Sequence, residues 1–252
     1  MKKLFVAIAA IFMLASCSKD KDQTGPVPTG KTKRLVKEVY VYDNDSPETS
    51  LMSYDPQGRV STIIDDDYRY DFDYQSATFL KVTCRKTVDN SISSTKECDI
   101  NDKGLITQII YKNTAGIMTY RYQYSYNADG YMTVIKGSPN LNDDYEEQYT
   151  IVNGNPVSSK VYYGGVLYHN REYTFDTKIN KSPYSTRGAW PVEKLFGKIN
   201  ANHMVESKEF STGILTWHTK SVYEFDADGY ETKVTTEYPL EGKFGVSTYT
   251  YQ

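Results

Sequence analysis

The residues with the most chemical capacity are two cysteines, three histidines and several grouped carboxylates. Cys84 and Cys98 stand on either side of Asp89-Asn90, a turn signal. A hairpin centred near Asn90–Ser91 brings the two thiols roughly opposite each other. A disulfide there, permitted in an exported chain, closes a loop of about 15 residues and contributes about 3 kcal/mol, less any strain; the alternative is a pair of buried, reduced thiols. Asp226-Ala227-Asp228-Gly229 has the opening of a calcium loop. An EF-hand with Gly229 in sixth place needs an oxygen ligand at 224 and a glutamate at 235. Glu224 serves, but the other position is Thr235, and the same frame on Gly130 gives Ser125 and Lys136. Turn formation is the better account of both. Asp65-Asp66-Asp67 and Asp143-Asp144 with Glu146-Glu147 likewise read as solvated turns before they read as cation sites. His169, His203 and His218 are scattered, with no histidine four residues away and no Cys-x-x-Cys; no metal and no cofactor are expected. No nucleophile elbow, phosphate loop or dinucleotide fingerprint occurs. A carboxylate pair for glycoside hydrolysis is defined by its separation in space, so it has no linear signature.

Turns and strands must position these groups. Four tetrapeptides share one chemistry: Asp55-Pro56-Gln57-Gly58, Asn101-Asp102-Lys103-Gly104, Asn127-Ala128-Asp129-Gly130 and Asp226-Ala227-Asp228-Gly229. Asp or Asn opens a type I turn, Pro56 fits its second position, and the closing glycine takes the left-handed conformation of a bulge. Asn153-Gly154 and Gly164-Gly165 are two further tight-turn signals. Between turns the pattern alternates. Tyr68, Tyr70, Phe72 and Tyr74 share one face, and Arg69, Asp71 and Asp73 share the other; Tyr120, Tyr122, Tyr124 and Tyr126 repeat this, and shorter runs end at Phe175 and Phe225. Period two marks antiparallel strands with one face in a core and one in water. The turn glycines recur at multiples of about 25 residues, one hairpin per unit. The reading is an all-β, antiparallel up-and-down meander over 33–252 that curls into a curved sheet or a barrel-like, water-soluble structure. One stretch, 177–202, lacks alternation and is expected to be a long irregular connection that plugs an end of the sheet or lies on the surface.

The N-terminus reads as an address. Met1-Lys2-Lys3 is positive, Leu4 to Leu14 is almost wholly apolar, and Leu14-Ala15-Ser16-Cys17 follows. The layout is that of a secretory signal, too short to span a bilayer. Leu-Ala-Ser-Cys resembles the lipobox of bacterial lipoproteins. That resemblance implies diacylation of the Cys17 thiol, cleavage after residue 16 and acylation of the new amine, and two or more acyl chains anchor a protein stably. Residues 17–32 then form a flexible tether, whose Asp20 and Asp22 resemble surface-export signals of some Gram-negative lipoproteins. The chain carries 29 Lys+Arg against 32 Asp+Glu and 24 tyrosines. That balance excludes a basic nucleic-acid binder, and the aromatic content excludes a disordered chain.

Ser53-Tyr54-Asp55-Pro56-Gln57-Gly58-Arg59-Val60-Ser61-Thr62-Ile63 looks like the tyrosine–aspartate repeat, with looser copies at Tyr126–Ile135 and Phe225–Tyr230. Such repeats wind into large β-shells in secreted toxins; this chain is too short for an enclosing shell. The lipobox, linker and degenerate repeats together resemble a family of secreted bacterial lipoproteins of unknown function with a porin-like fold. That family also tends to carry Asp-x-Lys-x-Asn-Pro. Asp176-Thr177-Lys178-Ile179-Asn180 matches, but Lys181-Ser182 intervene before Pro183. The resemblance implies a fold and transfers no catalytic residue. The expected function is a non-enzymatic envelope lipoprotein, held by acyl chains on Cys17 in the outer membrane, that presents a binding or scaffolding surface. A carbohydrate-binding lipoprotein in nutrient capture is the alternative, with Tyr163, Tyr168, Trp190 and Trp217 as rings that stack on a glycan or peptide. A glycosidase-like enzyme with a carboxylate pair is the third reading.

Overall fold

In a computed structural model the described residues are 33–138, 144–181, 195–198 and 200–252. They form sixteen strands: β1 (Leu35–Tyr42), β2 (Glu48–Tyr54), β3 (Val60–Ile64), β4 (Tyr68–Ser76), β5 (Phe79–Lys86), β6 (Ile92–Ile100), β7 (Ile106–Asn113), β8 (Met118–Tyr126), β9 (Met132–Ser138), β10 (Tyr145–Val152), β11 (Asn155–Tyr163), β12 (Val166–Ile179), β13 (Asn202–Ser211), β14 (Ile214–Phe225), β15 (Glu231–Tyr238) and β16 (Lys243–Tyr251). Each strand pairs antiparallel with the next, and β16 pairs with β1, which closes the sheet into a barrel. At that seam Glu38 faces Tyr249 and Tyr40 faces Ser247. Residues 1–32, with Cys17, lie outside the described residues, as does Trp190.

The four tetrapeptides make one kind of turn. In each, the glycine N–H donates to the carbonyl of the opening Asp or Asn at 2.9–3.0 Å. The side-chain Oδ1 of that residue accepts the N–H just past the glycine, from Arg59, Leu105, Tyr131 and Tyr230 respectively. The glycines sit at φ +84°, +77°, +87° and +82°, the region a side chain disfavours. A bulge follows each turn. Ser53 pairs with Thr62 and Tyr54 with Val60, leaving Ser61 extra, and Thr107, Thr133 and Thr232 are skipped in the same way. The bulge stretches the inward spacing from two residues to three, so Val60 and Ile63, Ile106 and Ile109, and Met132 and Ile135 all point inward. Asn113-Thr114-Ala115-Gly116 is a further copy, with Gly116 at φ +78° and Asn113 Oδ1 accepting from Ile117.

An up-and-down barrel sends alternate turns to opposite ends. All four tetrapeptides lie at the entry end, where the chain joins the barrel and Arg34 and Gln252 exchange backbone hydrogen bonds. The copy at Asn113 lies at the far end. The connection between β12 and β13 also lies at the entry end, and it is shorter than expected, because β12 runs to Ile179 and β13 starts at Asn202. In its described part Phe196 is buried against Tyr124, with ring centroids 5.2 Å apart, while the Leu195 carbonyl accepts from Ile106 N and the Gly130 carbonyl from Lys198 N.

The tyrosine stripes face inward and the charges outward. The aliphatic core is one-sided: Leu35, Met52, Val60, Leu80, Val82, Ile106, Ile109 and Met132 come from β1–β9. Lys96 is buried among them, its ammonium 5.4 Å from the Tyr70 ring centre and 5.0 Å from that of Tyr111. Desolvation lowers its pKa from 10.5 to about 8.

The two cysteines are not joined. Both are free and buried. The β5–β6 ladder pairs Cys84 with Ser94 and Leu80 with Cys98, so the bend is centred near Asp89, short of the Asn90–Ser91 centre a bridge needs. Four residues of strand, about 13 Å at 3.3–3.4 Å per residue, separate the thiols, beyond disulfide reach. Burial pushes Cys98 up to about 12 and also raises Cys84. Thiol titration of unreduced protein carrying Cys17→Ser should count two thiols after denaturation and find them slow to react when native. Lys96 sets a pH dependence: between pH 8 and 10.5 the unfolded chain holds more protons than the folded one, so stability rises with pH there. Lys96→Met removes a charge-burial cost on the order of 3 kcal/mol at neutral pH. Its gain in melting temperature should be largest at pH 7 and mostly gone by pH 10.

Candidate functional site

The barrel wall changes character at β10. On β10–β13 buried polar side chains, Glu147 and Ser159, accompany Val161, whereas the buried side chains of β1–β9 are mostly aliphatic. Ser159 on β11 and Glu209 on β13 both lie directly opposite Arg171 on β12. Arg171 Nε donates to Glu209 Oε2 at 2.7 Å and Nη1 to Glu147 Oε1 at 2.9 Å. Glu147 is only 3% exposed, and both its oxygens are occupied: Ser159 Oγ donates to Oε1 and Tyr145 Oη to Oε2, each at 2.7 Å. Ser159 Oγ also lies 3.0 Å from Tyr173 Oη, and His169 Nδ1 lies 3.3 Å from Glu209 Oε1. Burial opposes the Arg171 charge, but Glu209 and Glu147 outweigh it and hold the guanidinium above its ordinary pKa. Burial, with Glu147 alongside, raises Tyr145.

The far end lies two residues from Glu147 on β10 and from Glu209 on β13. There Tyr163 packs edge-on against Tyr145 at 5.5 Å and against Tyr168 at 5.3 Å, and Tyr168 in turn touches His169 at 4.3 Å. Tyr168 is the extra residue of a bulge, since Val161 pairs with His169 and Tyr162 with Leu167. A second bulge precedes Trp217, which pairs with Glu209 and meets Tyr238 at 5.4 Å. Tyr163, Tyr168 and Trp217 are 41%, 53% and 42% exposed. Three of the four rings expected from sequence therefore stand around one end, above a network of carboxylates and a guanidinium. The network itself has no linear signature; Glu147 was legible only as part of an acidic run.

A second buried polar pair sits near the entry end. The segment after Gly229 repeats the bulged pattern, but the position held by Val60, Ile106 and Met132 in the other copies is Glu231. His203 Nδ1 lies 2.8 Å from Glu231 Oε1, off the axis of a hydrogen bond, and Nε2 meets no partner among the described residues. The rings of Tyr223 and Phe225 flank the imidazole at 4.9 Å each. This pair was missed, although a carboxylate in the core slot of a repeat was its signal.

The carboxylates of the tetrapeptide turns are spent on the fold. Asp226 and Asp228 hold the Lys33 ammonium at 2.7 and 2.6 Å. Burial works against the Asp226 charge, but Lys33 and the backbone N–H groups of Tyr230 and Asp228 outweigh it and hold the carboxyl below its usual range. Asp65 Oδ1 accepts from the N–H groups of Asp67 and Tyr68.

Solved structures share this architecture. The crystal structure of a porin-like protein from Bacteroides uniformis superposes with a TM-score of 0.63 at 15% sequence identity, over 88% of this chain and 98% of that one. A porin-like protein from Bacteroides vulgatus gives 0.61 at 10% identity, over 86% and 98%. No protein-family model matches the chain, and no curated protein matches it in sequence. At these identities the likeness is one of fold.

The His203–Glu231 pair generates a test. Removing one partner of a buried pair costs about 3 kcal/mol or more, whereas replacing both with apolar groups is often neutral. His203→Leu alone should lower the denaturation midpoint, and the double variant His203→Leu/Glu231→Ile should recover most of the loss.

Proposed function

We propose that the chain is a lipid-anchored, water-soluble barrel of the cell envelope that acts without catalysis, as a binding module working through its far end. The observation that carries this reading is the difference between the two ends. The entry end is blocked by Phe196 and the aliphatic core, while the far end keeps Tyr163, Tyr168 and Trp217 in contact with solvent. A tether joined at Lys33 leaves the far end free to face away from the lipid.

Water solubility rests on the outer wall. A lipid-facing barrel needs an apolar outward band. Here the outward positions carry cross-strand ion pairs: Arg85–Asp71, Lys112–Glu97, Lys136–Glu146 and Lys233–Glu224. Anchoring then falls to the acyl chains on Cys17.

The aromatic rim above the Glu147–Arg171–Glu209 network favours a glycan as the ligand. Exposed rings supply flat apolar faces, and fixed polar groups supply orientation. The same network argues against hydrolysis, since both carboxylates are tied to Arg171 and neither is free to act as acid or base.

Two measurements test these readings. Cys17→Ser should abolish fatty-acid labelling and release the protein from membranes, and the protein without residues 1–17 should stay in solution without detergent. On a glycan array, Trp217→Ala should weaken any signal at least tenfold; an array with no signal retires the glycan reading and leaves the anchored barrel standing.

A further inference from the structure

We infer that the hairpin tips of the far end form a docking crown for a protein partner whose surface is apolar and basic. Two independent features of the turns carry this. The first is aliphatic. Val88 in the β5–β6 turn, Ile117 after the Asn113 turn, Val166 at the start of β12, Ile214 at the start of β14 and Leu240 in the β15–β16 turn are each more than half exposed, Val88 by 87%. Isolated surface aliphatics are ordinary, but here two neighbouring hairpins (β5–β8) and three more (β11–β16) each carry one at the same end. Among the described residues the entry end has one aliphatic so exposed, Ile179 at the end of β12.

The second feature is charge. Among the described residues, the far-end turns hold Asp43, Asp45, Asp65, Asp66, Asp67, Asp89, Asp144 and Glu241, against two flanking lysines, Lys86 at the end of β5 and Lys243 at the start of β16. The entry end is balanced, with Lys33, Arg34, Arg59, Lys103, Lys181 and Lys198 set among its aspartates. The two features interleave. Thr87 beside Val88 donates from N to the Asp67 carbonyl and from Oγ1 to the Asp66 carbonyl. Gly164, two residues before Val166, donates to the Asp144 carbonyl, and Asp43 N donates to the carbonyl of Phe244, just past Leu240.

The Val88, Val166 and Leu240 tips thus have acidic turns at their side. Aliphatic tips offer little to a sugar hydroxyl but bury well against an apolar protein face. The surrounding acids repel anionic lipid and disfavour a second copy of the same crown, whereas they attract lysine and arginine. The crown adjoins the aromatic rim at Val166, which pairs with Tyr163, but Val88 and Ile117 lie on other strands, and the inference does not depend on the glycan reading.

The test uses the full-length acylated protein in neutral nanodiscs and a fluorescent amphipathic peptide of leucine and lysine as a surrogate for the partner surface. Binding followed by anisotropy should weaken with salt. It should fall at least tenfold in Val88→Asp/Val166→Asp/Ile214→Asp. In Asp65→Asn/Asp66→Asn/Asp67→Asn it should fall with a shallower salt dependence. Circular dichroism should show both variants folded, since every substituted side chain is at a turn. Equal binding by wild type and variants, or no binding, overturns the inference. So does capture of phosphatidylglycerol vesicles that depends on Val88, which would make the crown a lipid surface, or a concentration-dependent dimer that the triple aspartate variant abolishes.

Discussion

The structure depends on the ladder between β1 and β16. A meander of sixteen strands leaves two edges of unpaired N–H and C=O groups, which invite aggregation. Pairing the ends removes both. Closure also fixes the perimeter, so every inward side chain must be accommodated in a ring of set size. Tyrosine suits that demand, because it fills width with its ring and can place its hydroxyl on a backbone carbonyl across the wall, as Tyr54 does on Leu35, Tyr126 on Ile106 and Tyr223 on Met204.

The ring is filled in two ways. Through β1–β9 the bulged repeats deliver pairs of aliphatic residues three apart, and these form a dry core with Phe196. Beyond β10 the same ring is held by hydrogen-bonded charge, with Arg171 bridging Glu147 and Glu209, and by the His203–Glu231 pair. Buried ion pairs are weak contributors to stability and costly to break singly. The candidate site lies in this half.

The two ends follow from the up-and-down path. The four tetrapeptide turns lie an even number of strands apart, so they gather on one end, where lysines and arginines lie over rings and carboxylates: Arg59 over Tyr74, Lys198 over Tyr131, Lys33 on Asp226. The turns of the other end are mostly acidic.

Local chemistry alone determined much of this protein. The left-handed glycines, the Asp and Asn acceptors, the period-two tyrosine stripes and hence the all-β meander are all set by interactions within a few residues, so they can be read along the chain. Closure could not be read in this way, because it depends on residues 35 and 251 meeting after fifteen turns. The spacing of Cys84 and Cys98 gave a plausible bridge, but a bend displaced by two residues put them about 13 Å apart; register is decided by where a bulge falls and which side chains must point inward. The Glu147–Arg171–Glu209 network and the gathering of acids at one end arise from strands far apart in sequence. Only the folded ring brings them together, since electrostatic partners are chosen by distance in space.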